Sequence, residues 1–218
     1  MPALKRYALL IGVFAAGFVG VTLVVAGGGF HSLDRSVAYG VSPLYVPALL
    51  NPFRAIAVLG GIEATWGIGL GLFLYLRRNG YSRGALAGAA IPLATLAETF
   101  YKRMVGQPGP PLDLAHPDGP SLTDLVERTG FAASYPSGHV TRTVVAYGLL
   151  AFVAHRLARR AWIRQAALPL FITVVVLMVA DRLYLGVHWE SDVIGGLLLG
   201  TTFLAAAVTW LEWSEGAE

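Results

Sequence analysis

Apolar positions along the chain gather into six long runs with few charges inside them, separated by connections rich in arginine, proline or glycine. Each run has about 17 to 25 residues, the length a helix needs to cross a hydrocarbon core. The runs are Tyr7–Ala26, Ala55–Leu76, Gly84–Tyr101, Gly138–His155, Ala166–Arg182 and Val193–Leu211. Between the first two, Gly27–Arg54 carries Gly27, Gly28, Gly29, Pro43, Pro47 and Pro52, which predicts loops and short surface turns. In the long segment Lys102–Tyr135, Leu122, Leu125, Val126 and Thr129 recur at helical spacing behind Ser121, a helix-starting residue. Ser121–Arg128 is therefore expected to form a short amphipathic helix on the membrane surface, with Asp124, Glu127 and Arg128 toward water. The predicted fold class is all-α: a polytopic membrane protein of six transmembrane helices plus this surface helix, forming a single domain over residues 1–218.

Composition strengthens that pattern. Hydrophobic side chains make up 56% of the 218 residues and charged ones 13%, against roughly a quarter charged in soluble domains. The absence of cysteine excludes disulfides, thiolate zinc sites and thiol chemistry. The net charge of +3 matters less than where it sits. Lys5 and Arg6 precede the first run, which reads as an uncleaved helix rather than a signal peptide. Arg77, Arg78 and Arg83 crowd one connection, and His155, Arg156, Arg159, Arg160 and Arg164 crowd another. The positive-inside rule puts both on the cytoplasmic side with the N-terminus, and six crossings return Glu212–Glu218 to the same side. The expected location is the plasma (inner) membrane, with Lys102–Tyr135 and the connection holding His188 facing outward. Glu63, within the second run, must face protein or water, either as a packing residue or as a functional one. Gly67, Gly69 and Gly71, and Gly195, Gly196 and Gly200, permit close helix contact without saying whose helix makes it.

Two stretches on the outward side carry candidate chemistry. In Tyr135-Pro136-Ser137-Gly138-His139, Ser137 can cap the fourth helix, Gly138 lets backbone amides approach an anion, and His139 emerges on the first turn. In the stretch Asp181–Asp192, His188 and Asp192 lie four residues apart, so on one helical face the carboxylate can accept the imidazole Nδ1–H and leave Nε2 as a nucleophile. Arg182 adds a planar cation suited to phosphate oxygens. Considered singly, each stretch also reads as ordinary interface: a helix start with a surface histidine, or arginine and aspartate anchors beside Trp189 in an aromatic belt.

Together, the two stretches resemble the last two motifs of the type 2 phosphatidic acid phosphatase family, and the resemblance covers Lys102 to Asp192. It implies a six-helix membrane fold in which His188 is the nucleophile that takes the phosphoryl group, Asp192 its orienting partner, and His139 the acid that protonates the leaving oxygen. Arg182, Ser137 and the Gly138 amide would hold the phosphate, with Lys102 as the lysine of the first motif. That first motif departs from the pattern. Lysine, three residues, then G-R-P-R-P becomes Lys102, Arg103-Met104-Val105, then Gly106-Gln107-Pro108-Gly109-Pro110, so both arginines are gone. A single donor of this kind is worth about 2.7 to 4 kcal/mol. Arg142, three residues beyond His139 on nearly the same face, is a candidate replacement, as is Arg103; alternatively, Arg142 pairs with Glu98 or Glu63 inside the bundle. Asp181, where the family commonly has serine, is expected to turn from the phosphate and pair with a cation.

The implied activity is hydrolysis of a lipid phosphate monoester or an isoprenoid or other lipid pyrophosphate at the outer face, through a phosphohistidine and without a metal or other cofactor. Transfer of the phosphoryl group to an acceptor hydroxyl is the alternative among enzymes. A catalytically weak relative that binds a lipid phosphate is the alternative among non-enzymes, motivated by the missing arginines. Substrate and membrane lipids are the expected partners, and nucleic acid is not.

Overall fold

Where the first long apolar run was expected, a computed structural model of the chain forms helix α1 (Pro2–Ala26). The structure describes residues 2–111, 113–116 and 133–215, and side chains from 7 to 214 within them. The expected surface helix over Ser121–Arg128 lies outside the described residues.

Among the described residues, seven further α-helices follow: α2 (His31–Val41), α3 (Leu50–Gly60), α4 (Ile62–Arg78), α5 (Ala90–Val105), α6 (Gly138–Leu157), α7 (Ala161–Tyr184) and α8 (Glu190–Glu215). No strand occurs among the described residues beyond an isolated bridge of Pro108 with Ala133. The all-α expectation therefore holds, with two corrections to its elements. Gly27–Arg54, expected as loops and turns, contains α2 and the start of α3, because Gly28 at φ +75° ends α1 and the polar and apolar residues after it sort onto the two sides of a helix. The second run is two helices, not one, since Gly61 takes an extended ψ of 160° between α3 and α4. Glu63 falls in the first turn of α4, exposed beside that break and not mid-helix.

Among the described residues, four stretches are long and apolar enough to cross a membrane: Tyr7–Ala26, Pro47–Arg78, Ala161–Tyr184 and Glu190–Ser214. The third and fourth expected spans are less uniform. Gly84–Tyr101 opens as 3₁₀ turns over Gly84–Ala89 before α5 begins. Helix α6 carries His139 and Arg142 inward, because it is the central helix: α3, α4, α5, α7 and α8 all pack against it. Its apolar positions Val145, Leu149 and Val153 meet Leu76, Ile91, Ala94 and Leu211 in the main core. Around that centre, Leu9, Leu23, Leu70, Leu96, Leu168, Leu170 and Val176 point outward, a surface a water-soluble domain would bury.

The bundle has two chemically distinct ends. At one, Trp210 donates to the Arg83 carbonyl and Arg156 pairs with Glu212, gathering the arginine-rich connections and the end of α8. At the other lie the C-terminal ends of α5 and α7 and the N-terminal ends of α6 and α8. Every candidate site residue except Arg142, one turn into α6, sits at that second end.

Candidate active site

The N-terminus of α8 explains the geometry of His188. A helix start leaves backbone N–H groups without intrahelical partners. Asp192, on the first turn, reaches back to accept the Trp189 N–H at 2.8 Å with Oδ2, as the third residue of a capping box does. The same oxygen lies 3.2 Å from His188 Nδ1. With the proton on Nδ1, Nε2 is left bare, the arrangement expected from the four-residue spacing. Both side chains are buried, at 7% and 0% exposure. The turn that delivers His188 needs Gly186, which stands at φ +62° with the Leu114 carbonyl packed where a Cβ would go. His116 N–H donates to the Leu185 carbonyl at 2.7 Å, clasping residues 113–116 onto this turn.

His139 comes from the first turn of α6, and α6 and α8 are joined where Ser137 N–H donates to the Asp192 carbonyl at 3.0 Å. The His139 imidazole, 6% exposed, lies within electrostatic reach of His188, Arg182, Arg142 and Lys102. The two imidazoles thus lie within electrostatic reach of each other, at the end away from the arginine-rich connections. Ser137 occupies the N-cap position of α6, but its side chain makes no capping bond, contrary to expectation. The hydroxyl is instead fully buried with no hydrogen-bond partner among the described residues.

The cations are arranged differently from the simplest expectation. Helix α5 ends at Gly106, a left-handed C-cap at φ +64° whose N–H returns to the Lys102 carbonyl, so Lys102 stands on the last turn facing the site. Its Nζ lies 3.3 Å from Glu98 Oε1, and Arg142 Nη1 lies 2.8 Å from Glu98 Oε2, all three side chains being at most 4% exposed. Arg142 Nε donates to the Gly60 carbonyl at 3.1 Å, while Nη2 has no hydrogen-bond partner among the described residues. The alternative of an ion pair with Glu98 is therefore the one realised, and Glu63 takes no part in it. Arg103, the second candidate, is exposed, unlike Glu98, Lys102 and Arg142. Gly138 has the Glu98 carboxylate packed against its Cα, leaving no room there for a Cβ. Asp181 turns to its neighbour, as expected: Arg182 Nε donates to Asp181 Oδ2 at 2.6 Å.

Two residues were missed. Gln107, where the family has an arginine, donates from Nε2 to Ser191 Oγ at 3.1 Å and to Asp192 Oδ1 at 3.3 Å. The loop that carries it is pinned by Ser134 N–H to the Gln107 carbonyl and Trp189 Nε1–H to the Pro108 carbonyl, both 2.8 Å. Asp34, in the segment read as loops, accepts Ser191 N–H and Ser191 Oγ–H, each at 2.8 Å. Its carboxyl is raised above its ordinary value, chiefly by burial, with Ser191 opposing and the Asp192 charge adding to the shift. The only sequence signal for Asp34 is a lone acid on the polar side of an 11-residue helix. Tyr135, which shares a 2.8 Å hydrogen bond with Thr22 of α1, is pushed up to about 12 by burial. A cavity of about 290 Å³ behind the loop is lined by His31, Asp34, Gln107 and Trp189, and by neither His139 nor His188.

The arrangement can do phosphoryl chemistry: an imidazole backed on Nδ1 by a carboxylate, a second imidazole with three buried cations within electrostatic reach of it, and a buried hydroxyl without a partner among the described residues. The model of the PAP2 superfamily matches residues 83–215, three-fifths of the chain and all of this site from Lys102 onward. The chain belongs to the PAP2 superfamily. A PAP2 relative from Mycolicibacterium smegmatis, a decaprenylphosphoryl-5-phosphoribose phosphatase, is 31% identical over 151 residues, covering 69% of this chain and 72% of the relative. The protein of that name from Mycobacterium tuberculosis is 32% identical over 117 residues, covering 54% of this chain and 55% of the relative, so the match spans about half of that protein's length. Phosphatidylglycerophosphatase B of Bacillus subtilis is 33% identical over 82 residues, 37% of this chain and 39% of that one. A PAP2-type phosphatidylglycerolphosphate phosphatase structure from Bacillus subtilis superposes with a TM-score of 0.75 over 95% of this chain and 97% of that one, at 20% identity. At that identity the superposition speaks for the fold.

Proposed function

We propose that this PAP2 protein hydrolyses a lipid phosphate at the outer face of the plasma (inner) membrane, from a bundle that crosses the bilayer six times with both termini inside. The observation that carries the reading is the His188 Nδ1–Asp192 Oδ2 contact at 3.2 Å, which with the proton on Nδ1 leaves Nε2 as the nucleophile, with His139 within electrostatic reach of the same imidazole. In the first step Nε2 attacks phosphorus, a P–N bond forms and the P–O bond to the lipid breaks, and His139 gives its proton to the departing oxygen. In the second, His139 takes a proton from water, the hydroxide attacks phosphorus, the P–N bond breaks and inorganic phosphate leaves.

Charge on the transferring group would be met by Lys102, Arg182 and Arg142, and a phosphate oxygen would give the Ser137 hydroxyl the partner it otherwise lacks. No metal is needed in this scheme. The relatives' names support a substrate with a phosphate on a polyprenyl or glycerol-lipid carrier. Glu98 and Asp181 offset two of the three cations, which favours a phosphomonoester over a more highly charged pyrophosphate.

The test is phosphate release by purified protein in detergent from phosphatidic acid, phosphatidylglycerophosphate, a polyprenyl-linked phosphosugar and a polyprenyl pyrophosphate. His188→Ala should abolish release, a loss of about a thousandfold or more for removing a nucleophile. His139→Asn should lower kcat roughly 10²- to 10⁴-fold, the contribution of a positioned acid. Normal turnover in His188→Ala would end the phosphohistidine scheme; loss of lipid with no free phosphate would replace hydrolysis by transfer.

A further inference from the structure

Resting on the hydrolase reading, we propose that Asp34, Ser191 and Gln107 form a positioning chain that holds the Asp192 carboxylate in the plane its bond to His188 requires. A carboxylate fixed through one oxygen still rotates about its Cβ–Cγ bond. Asp192 uses Oδ2 for His188 and the Trp189 N–H, so a donor on Oδ1 is what fixes the plane. Gln107 supplies it, and divides its amide between Asp192 Oδ1 and Ser191 Oγ. Ser191 is in turn held twice by Asp34, through its N–H and its hydroxyl, at 0% exposure. The hydroxyl's one proton goes to Asp34, so its oxygen is free to accept from Gln107. Donation runs from the loop after α5 through the first turn of α8 to α2 without a mismatch.

The chain also explains why an amide suits position 107. Asp34 and Asp192 are like charges kept apart by the hydroxyl and amide between them. A guanidinium at 107 would pair with both carboxylates and draw Asp192 from the imidazole, whereas the neutral amide holds it without competing for it. Position 107 thereby serves the nucleophile's partner and not the phosphate.

Two measurements on the full chain in detergent decide the matter. The first is independent of turnover: ¹⁵N spectra of histidine-labelled protein, with five histidines in the sequence and the His188 signal found by its loss in His188→Gln. Wild type should show His188 protonated on Nδ1, and Asp34→Ala and Gln107→Ala should each move part of that population to Nε2–H. The second is kinetics on the lipid phosphate that wild type cleaves. Each alanine variant should lose about tenfold or more in kcat, the scale of supporting-residue effects, with KM within about twofold. Asp34→Asn, which keeps an acceptor for Ser191, should recover most of the loss, and the double alanine variant should lose less than the product of the two singles.

An unchanged His188 tautomer in a folded Gln107→Ala protein would overturn the proposal, as would a rise in KM at constant kcat. A gain in kcat for Gln107→Arg would show that 107 is a weakened phosphate ligand instead. Should Asp34→Ala not fold, Gln107→Ala and Ser191→Ala carry the same two readouts. If wild type cleaves no lipid phosphate, the hydrolase reading falls while the tautomer measurement still judges the chain.

Discussion

A carboxylate held between two cations in a buried place has given up its hydration for them, and Glu98 does this between Lys102 and Arg142. Removing one partner leaves the others desolvated without compensation. Glu98→Gln is therefore expected to destabilise the fold by about 3 to 5 kcal/mol, seen as a lower unfolding midpoint in detergent. Arg142→Met alone should cost a similar amount, but the double variant Glu98→Gln/Arg142→Met should be more stable than Glu98→Gln, because it removes one of the two buried cations that Glu98→Gln strands. Equal or additive losses would mean that Arg142 gains nothing from Glu98. At this scale the sequence was legible where partners are close in the chain. His188 and Asp192 are four apart, and Asp192 on the first turn of α8 reaches back to the histidine just ahead of that helix. Asp34 and Ser191 are 157 apart, and Gln107 and Ser191 are 84 apart, so no local pattern could pair them.

Elements were legible by their apolar lengths and misread where packing, not hydropathy, sets the backbone. A hydropathy run does not register Gly61, yet the break there lets the Gly60 carbonyl meet Arg142. The same limit applies to the small residues noted in the second and sixth runs, which turn out unequal. A Cβ on Gly196 would stand 2.8 Å from the Ser137 carbonyl and 3.1 Å from Val140 Cβ, both on α6 or its cap, whereas one on Gly71 meets nothing within 4 Å. Gly196 is thus the contact at which α8, bearing Asp192, is seated against the start of α6, bearing His139. Gly196→Ala should push those two helices apart, costing about 1 to 3 kcal/mol as overpacking does. It should also lower turnover, although the side chain is remote from the phosphate. Gly71→Ala should be neutral or slightly stabilising, because it adds helix propensity in open space. Thermal unfolding and phosphate release on both variants check this, and a Gly196→Ala protein with wild-type stability would show that the helix contact yields.

For the whole molecule, the two ends of the bundle turn a structural asymmetry into an orientation. Arg77, Arg78, Arg83, Arg156, Arg159 and Arg160 gather at one end, and His139 and His188 at the other. Basic connections stay on the cytoplasmic side during insertion, so the site is expected outside. The chain contains no cysteine, so a single introduced thiol reports on its own position without background. Asn79→Cys, Arg159→Cys and Asp113→Cys lie at exposed positions in the α4–α5 connection, the α6–α7 connection and the segment after α5. In intact cells a membrane-impermeant maleimide should label Asp113→Cys and spare the other two, which should react only after the membrane is opened. That pattern requires α5 to cross between Asn79 and Asp113, and α6 to cross between Asp113 and Arg159. These are the two helices, α5 with only 16 residues and α6 with Arg142 inside it, that are not among the four span-length apolar stretches of the described residues. Labelling of all three from outside would mean that α5 and α6 do not cross, and with them would go both the six-span count and the outward site. Labelling of Asn79→Cys and Arg159→Cys alone would keep six crossings but place the histidines on the cytoplasmic face, where they would meet inner-leaflet lipid phosphates.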